Sequence, residues 1–471
     1  MPLSPTHRKA SGLGAILAAI TLSITIVGTL AHRLMEFDFG LPLAGIGLAL
    51  YLLACWQELP LNGKALTIAA YLGFAVLLGS DKSLMAELQD PLARAGYFAL
   101  FLGALALLRE VATQSPMIER CGQVLIDQPP PRRYLTLTFG SLVMTFLLNM
   151  GAITLLGTMV MRGSGTPKDP LGREVAVIRR KRMTLALLRA FCTTPLWSPT
   201  SIIMAVMLTA FTDLSWDRLA SIGISATVAA LAAGFILDRV TRPKHLSHLL
   251  PKTPQPFDIT PFLPLTLLIA VLTLGAYGLN ALTQWGFVLC LILWVPVIAV
   301  TWAVIQSGVE QTPETIKTLI RKTPAISLEA SHEIAVIACA VFLGSLIASS
   351  IDMTATSAFL ENLPVSPAIL LIAVSWIIVG LSFTGIGPMI TVIIAVGVLK
   401  DLPLLAGHQE ALALSLAGTW AIILGFAPLI APVRLAARAI ETSPHTVGIS
   451  WNGFFSFLAL LALNGALLVT L

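Results

Sequence analysis

Small hydroxyl side chains surround two prolines in the segment TTPLWSPTSI, residues 193–202. Pro195 and Pro199 each lack a backbone N–H and clash with the preceding turn, so a continuous helix is not expected through this segment. Unwound carbonyls and neutral hydroxyls can bind ions and small polar solutes without a charged side chain. We therefore predict that substrate contacts come from Thr194, Ser198, Thr200 and Ser201.

A second segment with the same proline spacing, FAPLIAPVRL at 426–435, offers arginine in place of hydroxyls. Arg434 lies two residues beyond Pro432, where a new half-helix is expected to begin. The partial positive charge of a helix N-terminus favours an anion, and a charged side chain at membrane depth is a functional candidate. Arg434 is therefore predicted to bind substrate, with snorkelling to the inner surface as the alternative. Arg438 is interpreted as snorkelling, and Arg189, ahead of the first break, as a snorkelling or interhelical residue.

Two long apolar runs contain glycine in a central segment, LLNMGAI in one and SFTGIGP in the other. Glycine allows the chain to leave helical geometry there. The runs 134–161 and 367–399 are therefore predicted to be re-entrant hairpins, which enter and leave the bilayer on one side. Each precedes one proline break by nearly the same number of residues. The tip residues predicted to contact substrate are Asn149, Gly151, Ser382, Thr384 and Gly385. For a coupling Na⁺, the candidate ligands are Asn149, Ser198, Ser382 and Thr384.

The composition predicts a polytopic all-α membrane protein. Of 471 residues, 56% are hydrophobic and 11% charged, with a mean hydropathy of +0.87; soluble domains carry about 25% charged residues. The net charge of +5 lies in loops between apolar runs, where it indicates topology and not nucleic-acid binding. Five scattered cysteines without a Cys/His cluster predict neither a metal site nor disulfides. The N-terminal apolar run is too long for a signal peptide and is interpreted as a retained span.

Runs of about 20 apolar residues are long enough to cross a bilayer. About eleven spans are predicted in addition to the two hairpins, and two of these spans are broken by prolines. The plain spans are 12–30, 40–56, 64–80, 94–109, 217–237, 261–281, 285–305, 332–349 and 449–471, and the broken ones are 183–211 and 409–440.

Basic residues in the loops set the orientation. Segment 162–182 has seven basic and two acidic residues, so it is predicted to be a cytoplasmic loop, as is the basic linker 306–331. Treating both hairpins as plain spans, thirteen in all, would place 162–182 on the outer side. With hairpins, the halves have opposite orientation, which is typical of secondary transporters. The predicted order is an extra N-terminal helix at 1–39, a first inverted repeat at 40–238, a cytoplasmic linker at 239–260 and a second repeat at 261–471.

This organisation resembles the ion transporter superfamily, which includes divalent anion/sodium symporters, arsenite-efflux proteins and sodium/proton antiporters. The symporters carry Ser-Asn-Thr at a hairpin tip and at the following helix break. The corresponding segments here are Leu148-Asn149-Met150-Gly151, Ser198-Pro199-Thr200, Ser382-Phe383-Thr384-Gly385 and Ala431-Pro432-Val433-Arg434. The resemblance implies an elevator-type carrier, usually a homodimer, whose hairpins and broken helices move together against a scaffold.

The predicted function is secondary active transport of a small anion, a dicarboxylate or an inorganic oxyanion, coupled to Na⁺ or H⁺. No Asp or Glu is placed at the bilayer midplane, which counts against a cation/proton exchanger because such carriers use carboxylate relays. The alternatives are a cation/proton antiporter or efflux permease of the same superfamily, and a permease subunit that needs a binding-protein partner. No enzyme or ATPase motif is present, so the chain is predicted to be a non-enzymatic inner-membrane protein with a cytoplasmic N-terminus.

Overall fold

The fold is entirely helical over the part of the chain that the structure describes. A computed structural model describes residues 12–79, 84–126, 128, 130–164, 169–241, 260–351 and 365–471, and these contain nineteen helices and no strand. The prediction of an all-α polytopic membrane protein is confirmed. Most of the predicted linker 239–260 lies outside the described residues.

The helices are numbered in chain order. They are α1 Gly12–Met35, α2 Gly40–Ala54, α3 Leu61–Leu78, α4 Leu84–Thr113, α5 Pro116–Ile126, α6 Pro130–Leu148, α7 Met150–Ser164, α8 Pro170–Thr193, α9 Ile202–Ala210, α10 Trp216–Val240, α11 Phe262–Thr283, α12 Phe287–Ser307, α13 Thr312–Glu329, α14 Ser331–Ser350, α15 Pro367–Ser382, α16 Pro388–Leu399, α17 Gln409–Phe426, α18 Ala431–Ala439 and α19 Gly453–Thr470. A π-helical turn at Thr446–Trp451 precedes α19.

Nine stretches of the described chain are long and apolar enough to cross a membrane, fewer than the eleven predicted spans. Two predicted spans account for the difference. The first, 40–56, is helical only over Gly40–Ala54 and is therefore short. The second, 183–211, is divided by its prolines, so neither α8 nor α9 provides a full-length apolar segment.

Two polar segments predicted to be loops are helical, as is a third polar segment outside the predicted spans. Residues 116–126 form α5, and most of the predicted linker 306–331 forms α13. The basic segment 162–182 is largely the first half of α8, whose N-terminus is capped by Asp169 accepting from Gly172 N at 2.6 Å. A hydropathy scan finds only uniformly apolar helices, so it passes over helices that carry many polar and charged residues, as these three do.

Both hairpins turn at residues with positive φ. The first turn is the single residue Asn149, with φ +49°, between α6 and α7. The second connects α15 to α16 and contains Gly385, with φ +94°. Glycine adopts this conformation freely, and asparagine tolerates it better than other side chains do.

The chain forms two compact units that do not correspond to the halves of the sequence. Unit 1 consists of the described residues of Met1–Val111, Ile292–Thr356 and Ile393–Leu399. Unit 2 consists of those of Ala112–Leu291, Ser357–Val392 and Lys400–Leu471. Each unit therefore combines residues from both predicted repeats.

Unit 1 is held together by tight helix packing and a few polar contacts. Gly28 of α1 lies so close to α2 that a Cβ on it would be 2.6 Å from Ala44 N. The Tyr51 hydroxyl donates to the carbonyl oxygen of Ser327 at 2.6 Å. Arg109 forms a bidentate ion pair with Glu333 at 2.9–3.1 Å, which joins α4 to α14.

Candidate functional site

The first helix break separates α8 from α9 within unit 2. Helix α8 ends at Thr193, a 3₁₀ turn covers Thr194–Leu196, and α9 starts at Ile202. Ser201 caps the new helix because its hydroxyl accepts from Met204 N at 3.2 Å. The N-terminus of α9 is therefore partly satisfied by its own chain.

The second break separates α17 from α18 and lacks such a cap. Helix α17 ends at Phe426, and α18 begins after Ile430, whose side chain has no polar atom to offer. Pro432 has no N–H, and the amides of Ala431 and Val433 have no side-chain partner among the described residues. The two breaks thus share their proline spacing and differ in how their second half-helix begins.

The first hairpin packs against the first break. The rings of Phe146 in α6 and Trp197 in the break lie 6.1 Å apart. The Thr200 hydroxyl donates to the carbonyl oxygen of Phe146 at 3.1 Å and is 2.9 Å from the Ser198 hydroxyl. Two of the predicted site residues, Ser198 and Thr200, are therefore brought together beside the hairpin that contains Asn149.

The second hairpin packs against the second break in the same way. Phe383, at the hairpin turn, makes an edge-to-face contact with Phe426 at 5.1 Å. A Cβ built on Gly385 would lie 3.6 Å from the side chain of Leu429. Each hairpin is thus in contact with the break that follows it in the sequence.

A glycine in the helical segment after each break allows close approach to the unwound backbone. A Cβ on Gly223 of α10 would overlap the carbonyl of Leu196 in the first break. A Cβ on Gly448 in the π-helical turn would overlap the carbonyl of Phe426 in the second. At these two positions any larger residue would push a helix away from the break.

Side chains from the following helices also satisfy carbonyls that the breaks leave without helical partners. Thr227 of α10 donates to the carbonyl of Thr193, the last residue of α8, at 3.3 Å. At the second break, Asn452 Nδ2 donates to the carbonyl of Gly425 at 3.0 Å. The final carbonyls of a helix have no intrahelical partner, and unsatisfied ones are costly in lipid.

A buried arginine lies one turn before the first break. Arg189 is 2% exposed, and its Nε donates to Asn452 Oδ1 at 2.9 Å. Its Nη1 donates to the Tyr134 hydroxyl at 3.1 Å and to the carbonyl of Gly234 at 3.0 Å. The guanidinium also lies over the ring of Phe455, 4.4 Å from the centroid. Of the two interpretations given for Arg189, the interhelical one is correct.

The two broken helices are in contact at their interruptions. A Cβ built on Gly425, at the end of α17, would lie 2.8 Å from Sγ of Cys192, at the end of α8. Farther along α17, hydroxyls connect it to the second hairpin: Thr419 donates to Ser375 of α15 at 2.9 Å, and Ser415 lies 3.3 Å from Ser375. Unit 2 thereby joins both breaks and the hairpin arm α15.

The other predicted site residues are used locally. The hydroxyls of Thr194, Ser382 and Thr384 donate to carbonyls three or four residues earlier, those of Ala190, Val379 and Leu381. Gly151 lies in the first turn of α7, and the Arg434 side chain is exposed on α18, with no ion pair to any described residue. A Na⁺ near Asn149, Ser198, Ser382 and Thr384 stays a prediction.

Sequence reasoning did not single out Thr227, Asn452, Tyr134 or the packing glycines as part of this arrangement. Asn452 carried the clearest signal because it is an amide at the start of the apolar C-terminal run. An amide inside an apolar helix is expected to find a polar partner. The sequence gives no indication that this partner is a broken helix far along the chain.

Gly223→Ala is expected to destabilise the protein because the added methyl group overlaps the backbone of Leu196, which no side-chain rotation relieves. Overpacking of this kind costs about 1–3 kcal/mol. Gly278→Ala in α11 is the matched control, because a Cβ there has no neighbour within 4 Å. Thermal unfolding of the detergent-purified variants should show a lower midpoint for Gly223→Ala alone; equal midpoints would contradict the close approach at the first break.

Gly425→Cys is expected to form a disulfide with the native Cys192, since the two side chains are within bonding range. The other four cysteines, at 55, 121, 290 and 339, are replaced by alanine, and a protease site is placed within 242–259. After oxidation and cleavage, the two fragments should stay together on a non-reducing gel and separate on reduction. Adding Cys192→Ala is the control, and fragments that separate without reductant would refute the contact between the breaks.

Comparison with known proteins shows a shared fold. No protein-family model matches the chain, and no curated protein matches its sequence. Among solved structures, the chain is similar to the YdaH transporter of Alcanivorax borkumensis, described as having an unusual topology, with a TM-score of 0.53 and 15% identity over 87% of this chain and 97% of that one. MtrF of Neisseria gonorrhoeae, described among antimetabolite efflux pumps, matches over 88% and 95% with 11% identity and a TM-score of 0.48. The chain therefore shares its overall fold with the solved YdaH structure.

Proposed function

We propose that this protein is a secondary active transporter of a small anion, a dicarboxylate or an inorganic oxyanion, driven by Na⁺ or H⁺ across the cell inner membrane. The observation that carries the proposal is the pair of interrupted helices that meet at Cys192 and Gly425 within one unit. Interrupted backbone is tolerated at membrane depth where it is buried in protein or lines a cavity, and transporters use it to bind solutes.

The second break supports an anionic substrate. Its half-helix α18 starts without a side-chain cap, whereas Ser201 caps α9. Arg434 stands in the first turn of α18, so a guanidinium and free amides lie at the same helix end. An oxyanion or carboxylate can accept hydrogen bonds from both. Thr200 and Ser198, together with the neighbouring hairpin residues Asn149 and Gly151, supply neutral contacts at the first break.

The charge distribution in unit 2 also favours an anion. Asp238 of α10 pairs with Arg182, and Glu410 of α17 pairs with Arg218. The hydrogen-bond partners of Arg189, by contrast, are neutral groups. In this proposal both carboxylates are neutralised by arginine and have a structural role, with no part in cation/proton exchange.

The grouping of elements supports an elevator motion. Both breaks, the first hairpin and the first arm and turn of the second hairpin belong to unit 2, while α1, α2, α3 and α14 belong to unit 1. In this proposal unit 2 carries the substrate, and unit 1 provides the scaffold and the contacts of a homodimer. The N-terminus is placed in the cytoplasm.

Transport in liposomes tests the substrate and coupling ion directly. Purified protein is reconstituted and supplied with radiolabelled dicarboxylates or inorganic oxyanions under an imposed Na⁺ or H⁺ gradient. Gradient-dependent accumulation of one anion is expected, and the effective gradient identifies the coupling ion. Accumulation of cations alone would contradict the proposal. Reversing the gradient distinguishes uptake from efflux.

Arg434→Ala is expected to lower kcat/KM for the transported anion about tenfold or more, because a hydrogen bond to a charged group is worth about 1.5–3 kcal/mol. Arg438→Ala is the matched control: it removes an exposed arginine from the same helix, one turn away from the break. Initial transport rates at equal reconstituted protein provide the comparison. Equal losses in the two variants, or none in either, would remove Arg434 from the substrate site.

A further inference from the structure

We infer that Arg189 and Asn452 are positioning residues that together hold the broken end of α17 beside the end of α8. The juxtaposition is a buried chain of hydrogen bonds that runs from the Arg189 guanidinium through the Asn452 amide to the carbonyl of Gly425. Neither residue needs to touch the substrate. The inference rests on the proposed function, because it concerns the geometry of the transport site.

The Asn452 amide acts on the second break. Gly425 is the penultimate residue of α17, so its carbonyl has no partner farther along the same helix. Asn452 Nδ2 satisfies it at 3.0 Å, and the same nitrogen lies 3.3 Å from the Ser456 hydroxyl. Asn452 is 1% exposed, so solvent does not compete for this bond.

Arg189 fixes the orientation of that amide. An asparagine side chain has one accepting and one donating end, and rotation by 180° exchanges them. Arg189 Nε donates to Oδ1 at 2.9 Å, which requires Oδ1 to face the guanidinium and directs Nδ2 towards Gly425. The reversed amide would set two donors against each other. Arg189 therefore acts on the second break through Asn452.

The guanidinium is itself held from several directions. Tyr134 of α6 and the Gly234 carbonyl of α10 both accept from Nη1, and Phe455 of α19 lies against its face. Because Arg189 is one turn from the end of α8, these contacts fix that end too. A rigid, planar fork is needed to reach all of these groups, and a lysine ammonium does not reproduce it.

Four variants separate positioning from charge and from general stability. Asn452→Asp keeps the acceptor for Arg189 and the size of the side chain, but removes the donor to Gly425. Arg189→Lys keeps the charge and removes the fork, and Arg189→Gln removes both. Ser456→Ala is the control because it removes only the longer hydrogen bond of Asn452 Nδ2.

Two measurements are made on the reconstituted full-length protein. The first is the KM and the maximal rate for the transported anion. The second is independent of transport: the rate at which a small maleimide labels Cys192, which is buried beside Gly425, in a chain whose other four cysteines are alanine. Monodispersity in detergent confirms that each variant is folded. If Arg189→Gln does not fold, Asn452→Asp still tests the inference.

Asn452→Asp is expected to raise KM about tenfold, which corresponds to about 1.4 kcal/mol, with a smaller change in the maximal rate and faster labelling of Cys192. Arg189→Lys should resemble Arg189→Gln, and Ser456→Ala should resemble the unaltered protein. Wild-type KM and labelling in both Asn452→Asp and Arg189→Lys would overturn the inference. Faster labelling in a protein that transports no anion would instead support the positioning of the break and refute the proposed function.

Discussion

The bilayer interior supplies no water to backbone groups, and this constraint governs the arrangement of unit 2. Each proline break leaves carbonyls at the end of one half-helix and amides at the start of the next. The helix after each break supplies the missing donor, Thr227 for the carbonyl of Thr193 and Asn452 for that of Gly425. Gly223 and Gly448 let those segments come close enough to do so. The packing around the breaks thus serves largely to provide hydrogen-bond partners for the unwound backbone.

The two breaks differ in how the hydrogen-bonding groups of their unwound backbone are satisfied. The first is closed on both sides, since Ser201 caps α9 at its amide side and Thr227 bonds to the carbonyl of Thr193. The second is closed only on its carbonyl side, and the start of α18 has no side-chain cap. The two breaks therefore share their proline spacing but differ in side-chain chemistry, with hydroxyls at the first and Arg434 at the second.

Much of this fold could be predicted from the sequence because its interruptions have local causes. Proline removes a donor within its own turn, so both helix breaks could be predicted from the positions of the prolines. The positive φ angles of Asn149 and Gly385 suit asparagine and glycine, so both hairpin turns could be predicted from these residues. Helix α13 was not recognised because one of its faces is polar. The candidate site was harder to predict from the sequence, because the side chains that satisfy its carbonyls come from other helices.

The individual hydroxyls show the same limit. Thr200 reaches another element, whereas the hydroxyls of Thr194 and Ser382 bond within their own helices. A threonine or serine in a spanning helix always has a nearby carbonyl available to it. Sequence spacing alone does not distinguish a side chain that bonds locally from one that faces a neighbouring helix.

The contact between Arg189 and Asn452 also has a consequence for biogenesis. The two residues are 263 positions apart, so the ribosome makes Asn452 about 13–53 s after Arg189 at about 5–20 residues per second. Tyr134 precedes Arg189, and Gly234 follows it by only 45 positions, so a nascent chain can already offer both as partners. The carbonyl of Gly425 gains its partner only once Asn452, 27 positions later, has been made. The hydrogen bonds that join Arg189 to the second break therefore form later than those that Arg189 can make with Tyr134 and Gly234.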